Sequence, residues 1–496
     1  MAAEVETLQN WIAGEWTAPR GSDAAEVTNP ASGGVVAEAS TSSNADVADA
    51  VGAAHDAFAG WRATPAVERG RLLFRLHHLV EEQFEDLSRT ITIENGKTLE
   101  EARGELIRTL ENIEVAAGIP TLQMGDFSAD IAEGIDETSI REPMGVFVQI
   151  GPFNFPSMVP FWFAPYALAT GNTYVIKPSP QTPISQARMM DLIAQAGFPP
   201  GVINLVHGGA ETAEALIADP RVQGVSFVGT TPVARRIYEL AAQHGKRVQA
   251  QGGAKNHLVI LPDANLDAAI PNLMGSTFGC AGQRCLAGSV VVAANDVYSE
   301  FSDRLKGAAQ ALRLGDGLDP DAGMGPVISQ DSRERILATI DDAASAGARL
   351  VADGRGMTAE GLPNGYWVGP TVVDEVTPDM RISQEEVFGP VVSLQRVGTL
   401  QQAMDMIEAS PFGNAASIYT SSGPAAREFV SGVNIGNVGV NVGVAAPMAF
   451  FPFAGRKASF FGDLHGQAGD AVRFFTDPKV VVSRWPKSSD GRDPWD

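Results

Sequence analysis

The chain has 496 residues, 44% of them hydrophobic, and a formal net charge of -23 at pH 7. With a mean hydropathy of -0.01 and a pI near 4.7, this composition fits a soluble chain of two or three lobes and excludes a disordered or membrane-embedded one. So acidic a surface also repels a phosphate backbone, which excludes nucleic acid as the main partner and means that an anionic substrate must be met by particular cations.

Residues 1–16 mix Glu4 and Glu6 with apolar residues and lack the basic start and apolar block of an export signal, so a cytoplasmic location is expected. Residues 68–117 set Leu72, Leu73, Leu76, Leu79, Phe84, Leu87 and Ile91 at helical spacings among charged residues. Residues 145–150 read as a short buried strand. Three apolar segments follow, 172–178, 201–206 and 222–229, each ending in a turn, with helical stretches at 186–196 and 210–217 between them. Strands alternating with helices predict an α/β fold with a doubly wound parallel sheet.

The strand at 222–228 runs into Gly229-Thr230-Thr231-Pro232, where Thr231 is expected as the N-cap and Pro232 as the first residue of a helix continuing to Ala242. The free N–H groups of a helix start suit a pyrophosphate, and Gly229 lets the backbone come close. The G-x-G-x-x-G fingerprint is absent, so the turn alone equally describes an ordinary strand-to-helix junction.

Only two cysteines occur, both within residues 278–288. Cys285 follows Arg284 among small residues. A neighbouring cation lowers the cost of ionising a thiol, which makes Cys285 the expected nucleophile. Cys280, among apolar and small neighbours, is expected to be a buried small hydrophobe. Two cysteines five positions apart and seven scattered histidines form neither a disulfide framework nor a metal-ligand spacing, so no metal site is expected.

Five motifs now fall into one order: Pro152-Phe153-Asn154-Phe155-Pro156, Lys177-Pro178-Ser179, Phe227-Val228-Gly229-Thr230, Gly282-Gln283-Arg284-Cys285 and Glu385-Glu386-Val387-Phe388-Gly389-Pro390. With them the chain resembles an aldehyde dehydrogenase from about residue 8 to residue 485. The resemblance implies an aldehyde dehydrogenase-like fold: a Rossmann-type cofactor domain (1–120 and 142–251), an α/β catalytic domain (252–466) and a β oligomerisation arm (121–141 and 467–496). An apolar strand at 479–485 would pair with another subunit, giving a homodimer or homotetramer. It further implies that Cys285 attacks an aldehyde and that Asn154, with the nucleophile's own N–H, forms the oxyanion hole. Phe153, Lys177, Gly229, Thr230, Val233, Glu386 and Phe388 would bind NAD. Where the family often has a ribose-binding Glu after Lys177-Pro178-Ser179, this chain has Pro180, which leaves NADP open.

A second departure bears on chemistry. Most aldehyde dehydrogenases carry a glutamate just upstream of the Gly-Gly-x-Lys element, but here Gln251 or Ala250 stands there, depending on the alignment. In hydrolytic members that Glu is the base that activates water. Its loss points to release of the acyl group by coenzyme A, whose thiol ionises with a reference pKa of about 8.5, unless His257 or Glu386 serves as base. The family branch that oxidises methylmalonate or malonate semialdehyde with acylation of coenzyme A resembles this chain at residues 108–116, 253–257 and 451–465. In that branch two arginines hold the substrate carboxylate, and they map onto Arg108 and Arg284, whose planar forks match a carboxylate. A hydrolytic enzyme that releases a free acid is the alternative. An inactive binding relative is a third reading, disfavoured by the joint presence of Cys285, Asn154, Glu386 and Lys177.

Overall fold

The structure, a computed structural model, describes residues 5–485. The apolar runs foreseen as strands form the middle of an eight-stranded sheet. Its order is Phe460–Gly462, Arg247–Gln251, Val222–Val228, Val146–Ile150, Thr173–Lys177, Ile203–Leu205, Asn10–Ile12 and Glu15–Thr17. The five strands from Arg247–Gln251 to Ile203–Leu205 are parallel, and each pairing outside them is antiparallel. Val146–Ile150 and Thr173–Lys177 are buried along their whole length, because helices cover both faces of the sheet. The earliest of the five parallel strands, Val146–Ile150, lies in their middle. Winding reverses between it and Val222–Val228, and the crevice beyond the carboxyl ends of two such strands is where doubly wound sheets bind ligands. Residues 151–154 and 229–231 border that crevice.

The helical stretch 68–117 divides into Ala66–Glu82, Phe84–Asn95 and Leu99–Ala117. Gly96, with φ 89, closes the second helix in a left-handed conformation that suits glycine. Thr98 opens the third through a capping box with Glu101. This break puts Lys97 in a tight link between helices. It also sets Glu101, Glu105 and Arg108 on successive turns of one helical face.

Residues 252–255 cross from the first sheet to a second of seven strands, ordered Arg349–Ala352, Thr371–Asp374, Val391–Val397, Gly288–Ala294, Asn256–Ile260, Ala415–Tyr419 and Asn437–Val440. All are parallel except Arg349–Ala352. A third, antiparallel sheet joins Asp126–Ala132, Ile135–Pro143 and Thr476–Arg484. It leaves Phe127, Ile131, Val480, Val482 and Trp485 exposed. The strand expected at 479–485 is therefore longer, starting at Thr476. The last part of the expected arm, 486–496, lies outside the described residues. Among those described, no helix is long and apolar enough to cross a membrane.

The helix after Val222–Val228 begins one residue earlier than expected. Thr230, extended at φ -71 and ψ 151, is the N-cap, and Thr231 and Pro232 are helical. The reason lies outside the helix: Thr231 Oγ1 donates to Ala458 O at 3.0 Å and accepts from Gly253 N at 2.9 Å. The hydroxyl clamps neighbouring loops instead of capping its own helix.

Candidate active site

Between the two large sheets lies a cavity of about 290 Å³ bordered by Cys285, Arg284, Arg108, Glu105, Phe155 and Trp162. The helix Leu99–Ala117 supplies one wall, the segment after Asn154 a second, and the nucleophile loop a third. The residues that the sequence singled out for nucleophile and carboxylate binding thus share one chamber.

Cys280, Ala281 and Gly282 form a left-handed turn, with φ 51, 50 and 68. For the two non-glycine residues such backbone costs about 1–3 kcal/mol each. Packing enforces it. Cys280 N donates to Glu101 Oε1 at 2.6 Å, Ile328 N donates to Gln283 Oε1 at 3.0 Å, and Gly282 lies so close to Gly389 O that a Cβ would stand 2.1 Å from it. Beyond the turn, Cys285 O accepts from Asn256 Nδ2 at 2.9 Å and Asn414 Nδ2 at 2.8 Å.

The expectation that Arg284 poises the thiol needs correction. Burial pushes Cys285 up to about 12, the Glu386 carboxylate pushes the same way, and Arg284 with nearby backbone N–H groups only partly opposes them. The guanidinium has turned aside: Nη2 donates to Cys280 Sγ at 3.3 Å and Nη1 to Gly275 O at 3.4 Å, with Cζ 5.9 Å from the Phe155 ring centroid. Cys280 is buried as expected, yet the cation lies beside it and not only beside Cys285. Arg108 Nη1 donates to Glu111 Oε2 at 2.7 Å at the cavity edge.

Asn154 is buried, and its Nδ2 donates to Gln283 O at 3.0 Å, which ties the amide to the nucleophile loop. One of its two N–H bonds suffices for this, leaving the other able to donate elsewhere.

Of the expected cofactor residues, Phe153, Lys177, Gly229 and Thr230 lie at or just beyond the carboxyl ends of strands of the first sheet. Lys177 is buried, donates to Pro178 O and Gly208 O at 2.9 and 2.8 Å, and is pushed down to about 8 by burial. Gly229 and Thr230 precede the Thr231–Gln243 helix start, and Val233 is exposed on its first turn. Glu386 Oε1 accepts from Ala254 N at 2.9 Å, and burial pushes its carboxyl up to about 7. Phe388, with φ 51, sets its ring edge-to-face with Phe153 at 5.9 Å. A Cβ on Gly253 would stand 2.5 Å from Glu386 Oε2, so the bare glycine leaves that carboxylate its place. A crevice at the winding reversal, a helix N-terminus and a carboxylate beside glycines fit a dinucleotide.

Gln251 Nε2 donates to Phe453 O at 3.1 Å, and its Oε1 is buried without a hydrogen-bond partner among the described residues. His257 is buried in its strand and pushed down to about 4, which keeps the ring neutral near pH 7. Among the described residues no group of His, Cys, Asp or Glu is arranged to hold a metal.

Sequence reading passed over Asn95, Lys97 and Glu105, which reach under the Asn154 loop. Asn95 Nδ2 donates to Phe153 O at 2.9 Å, and Lys97 Nζ to Asn154 O at 2.7 Å. The available signal was weak: charged residues inside an amphipathic helical stretch have the same pattern as a solvated face.

A model of the aldehyde dehydrogenase family matches residues 16–481. A protein of Geobacillus kaustophilus (strain HTA426) named malonate-semialdehyde dehydrogenase 2 is 46% identical over 98% of this chain and 100% of its own length. The crystal structure of a methylmalonate-semialdehyde dehydrogenase from Oceanimonas doudoroffii superposes with TM-score 0.96 at 42% identity, covering 98% of this chain and all of that one. A proposed methylmalonate-semialdehyde dehydrogenase of Sinorhizobium meliloti 1021, complexed with NAD, gives TM-score 0.96 at 40% identity over the same shares.

Proposed function

The chain belongs to the aldehyde dehydrogenase family, and we propose that it catalyses the NAD-dependent, CoA-acylating oxidation of malonate or methylmalonate semialdehyde, with loss of CO₂ and release of acetyl-CoA or propionyl-CoA. The observation that carries this reading is one cavity bordered by Cys285, Arg108 and Arg284. It offers a nucleophile and two permanent cations to a short aldehyde that bears a carboxylate. The names of the relatives support the same substrate class.

Cys285 gives up its thiol proton to water, and its Sγ forms a bond to the aldehyde carbon as the carbonyl π pair moves onto oxygen. Asn154 Nδ2 and the Cys285 N–H hold that oxyanion. NAD, when bound, takes up the hydride that this carbon releases. Lys177, Gly229, Thr230 and Val233 would hold its adenosine and phosphates, with Phe153, Glu386 and Phe388 at the nicotinamide end. The NAD complex of the Sinorhizobium relative supports NAD over NADP. A thioester then remains on Cys285. The substrate carboxylate leaves as CO₂, its electron pair passes to the adjacent carbon, which takes a proton, and the thiol of coenzyme A displaces Cys285. Gln251 supplies no base for water, since an amide accepts no proton near pH 7.

A hydrolytic reading keeps one specific support. Glu386, whose carboxyl burial pushes up to about 7, is near enough to Cys285 to oppose ionisation of its thiol, and a carboxyl of that pKa suits a general base. The two large sheets support the expected cofactor and catalytic domains divided near residue 251, with Phe460–Gly462 returning to the first sheet. The exposed apolar strand Thr476–Arg484 supports a homo-oligomer.

NADH formation from malonate semialdehyde and NAD, with and without coenzyme A, tests the assignment. The CoA-free reaction is expected to stop after about one turnover per Cys285, with steady turnover restored by CoA. Steady CoA-free turnover to a free acid would put the hydrolytic reading first.

A further inference from the structure

Two buried charges hold the Asn154 loop from beneath, and none of the steps above uses them. The side chains of Lys97 and Glu105 are fully buried and meet at 2.6 Å. Lys97 Nζ also donates to Asn154 O at 2.7 Å and lies 4.1 Å from the Phe155 ring centroid. Glu105 Oε1 accepts from Ser157 N at 2.8 Å and Met158 N at 3.0 Å. One ion pair therefore grips the loop at both ends of residues 154–158.

Stability alone is a poor reason for such a pair, because an apolar pair of similar volume is often as stable or more so. What two opposite charges add is geometry: hydrogen bonds to ionised groups are short and about twice as strong as neutral ones. Here one charge fixes the carbonyl of Asn154 and the other fixes the next turn. Position matters at this residue, since an oxyanion donor acts only when aimed at the developing charge, and a misplacement of about 1 Å costs about 100-fold in rate. Glu105 borders the cavity, but both of its oxygens are already engaged with Lys97 and the loop. It therefore acts through the loop and not on the substrate.

We propose that the Lys97–Glu105 ion pair is the positioning device for the oxyanion donor, setting the Asn154 side chain by clamping its own carbonyl and the peptide units that follow it, at Ser157 and Met158. The proposal rests on the oxyanion role of Asn154 given above.

The test compares full-length wild type, Asn154→Ala, Lys97→Met/Glu105→Gln and the triple variant. Two rates are read: single-turnover NADH formation, which passes through the oxyanion, and alkylation of Cys285 by iodoacetamide, which does not. In the double variant the NADH rate is expected to fall about 10- to 100-fold while alkylation stays within about twofold of wild type. The triple variant is expected to be no slower than Asn154→Ala, because both changes disable one donor. Equal losses in the two rates, a wild-type NADH rate in the double variant, or a further loss in the triple variant would each mean a structural role and overturn the proposal. If the double variant does not fold, Glu105→Gln alone is judged on the same two rates. A fast Asn154→Ala enzyme would sink the oxyanion reading and the proposal with it, whereas a slow Asn154→Ala beside a fast double variant sinks the proposal alone.

Discussion

The loop that carries Asn154 and the loop that leads to Cys285 reach the same cavity but are held by opposite means. Residues 153–158 contain no left-handed backbone. Side chains from three other segments bind their peptide groups, including Asn95 to Phe153 O, Lys97 to Asn154 O and Gln186 to Pro156 O at 2.7 Å. Residues 280–282 instead are three successive residues in the left-handed conformation, squeezed against Glu101 and Gly389. The first loop is relaxed and gripped; the second is strained and wedged. Their electrostatics differ in the same sense. Hydrogen-bond donors are set in place by folding, while the Cys285 thiol, pushed up to about 12, remains protonated near neutral pH. On the proposed mechanism, preorganisation belongs to the dipoles and not to the charge of the Cys285 sulfur.

The largest way to break the comparison is Cys285→Ala. It should lower NADH formation by about 10⁴-fold or more while leaving the thermal unfolding midpoint near that of wild type. Substantial residual turnover would mean that Cys285 is not the nucleophile.

Strain in the second loop predicts a marked asymmetry in stability. Gly282→Ala, at φ 68 and with its Cβ 2.1 Å from Gly389 O, should destabilise the protein by about 2–4 kcal/mol in urea unfolding. Thr182→Ala on the other side removes only the bond from Thr182 Oγ1 to Phe153 O at 3.3 Å, and should cost about 1 kcal/mol. Equal effects would remove the distinction between wedged and gripped loops.

The smallest effect concerns protonation. Because burial raises the Cys285 pKa, the thiolate fraction is low at pH 7 and grows with pH. Iodoacetamide alkylation of the free enzyme should therefore accelerate about tenfold per pH unit from pH 7 to 10 without levelling. Glu386→Gln removes the carboxylate that opposes ionisation and should raise the rate at pH 8 by about three- to tenfold. A plateau by pH 8 would restore the poised thiolate that the Arg284-Cys285 adjacency suggested.

That adjacency shows where linear reading stops. Arg284 precedes Cys285 in the chain, yet its guanidinium donates to Cys280 Sγ, four residues back, because the left-handed turn folds Cys280 under it. Gln251 was recognised by what it lacks, and the structure adds that its amide is occupied with Phe453 O. Thr231 was expected to cap its own helix and instead clamps Gly253 and Ala458.

The linear order of residues by itself determined the alternation of strands and helices and singled out Cys285 as the candidate nucleophile. These follow from apolar periodicity and from residue chemistry, both of which are local. Tertiary structure alone decided the ionisation of Cys285, the direction of Arg284 and the support beneath Asn154. A pKa depends on the dielectric and charges that surround a group in three dimensions. A buried ion pair such as Lys97–Glu105, set in a helical stretch, is written in the same letters as a solvated one until the chain closes over it.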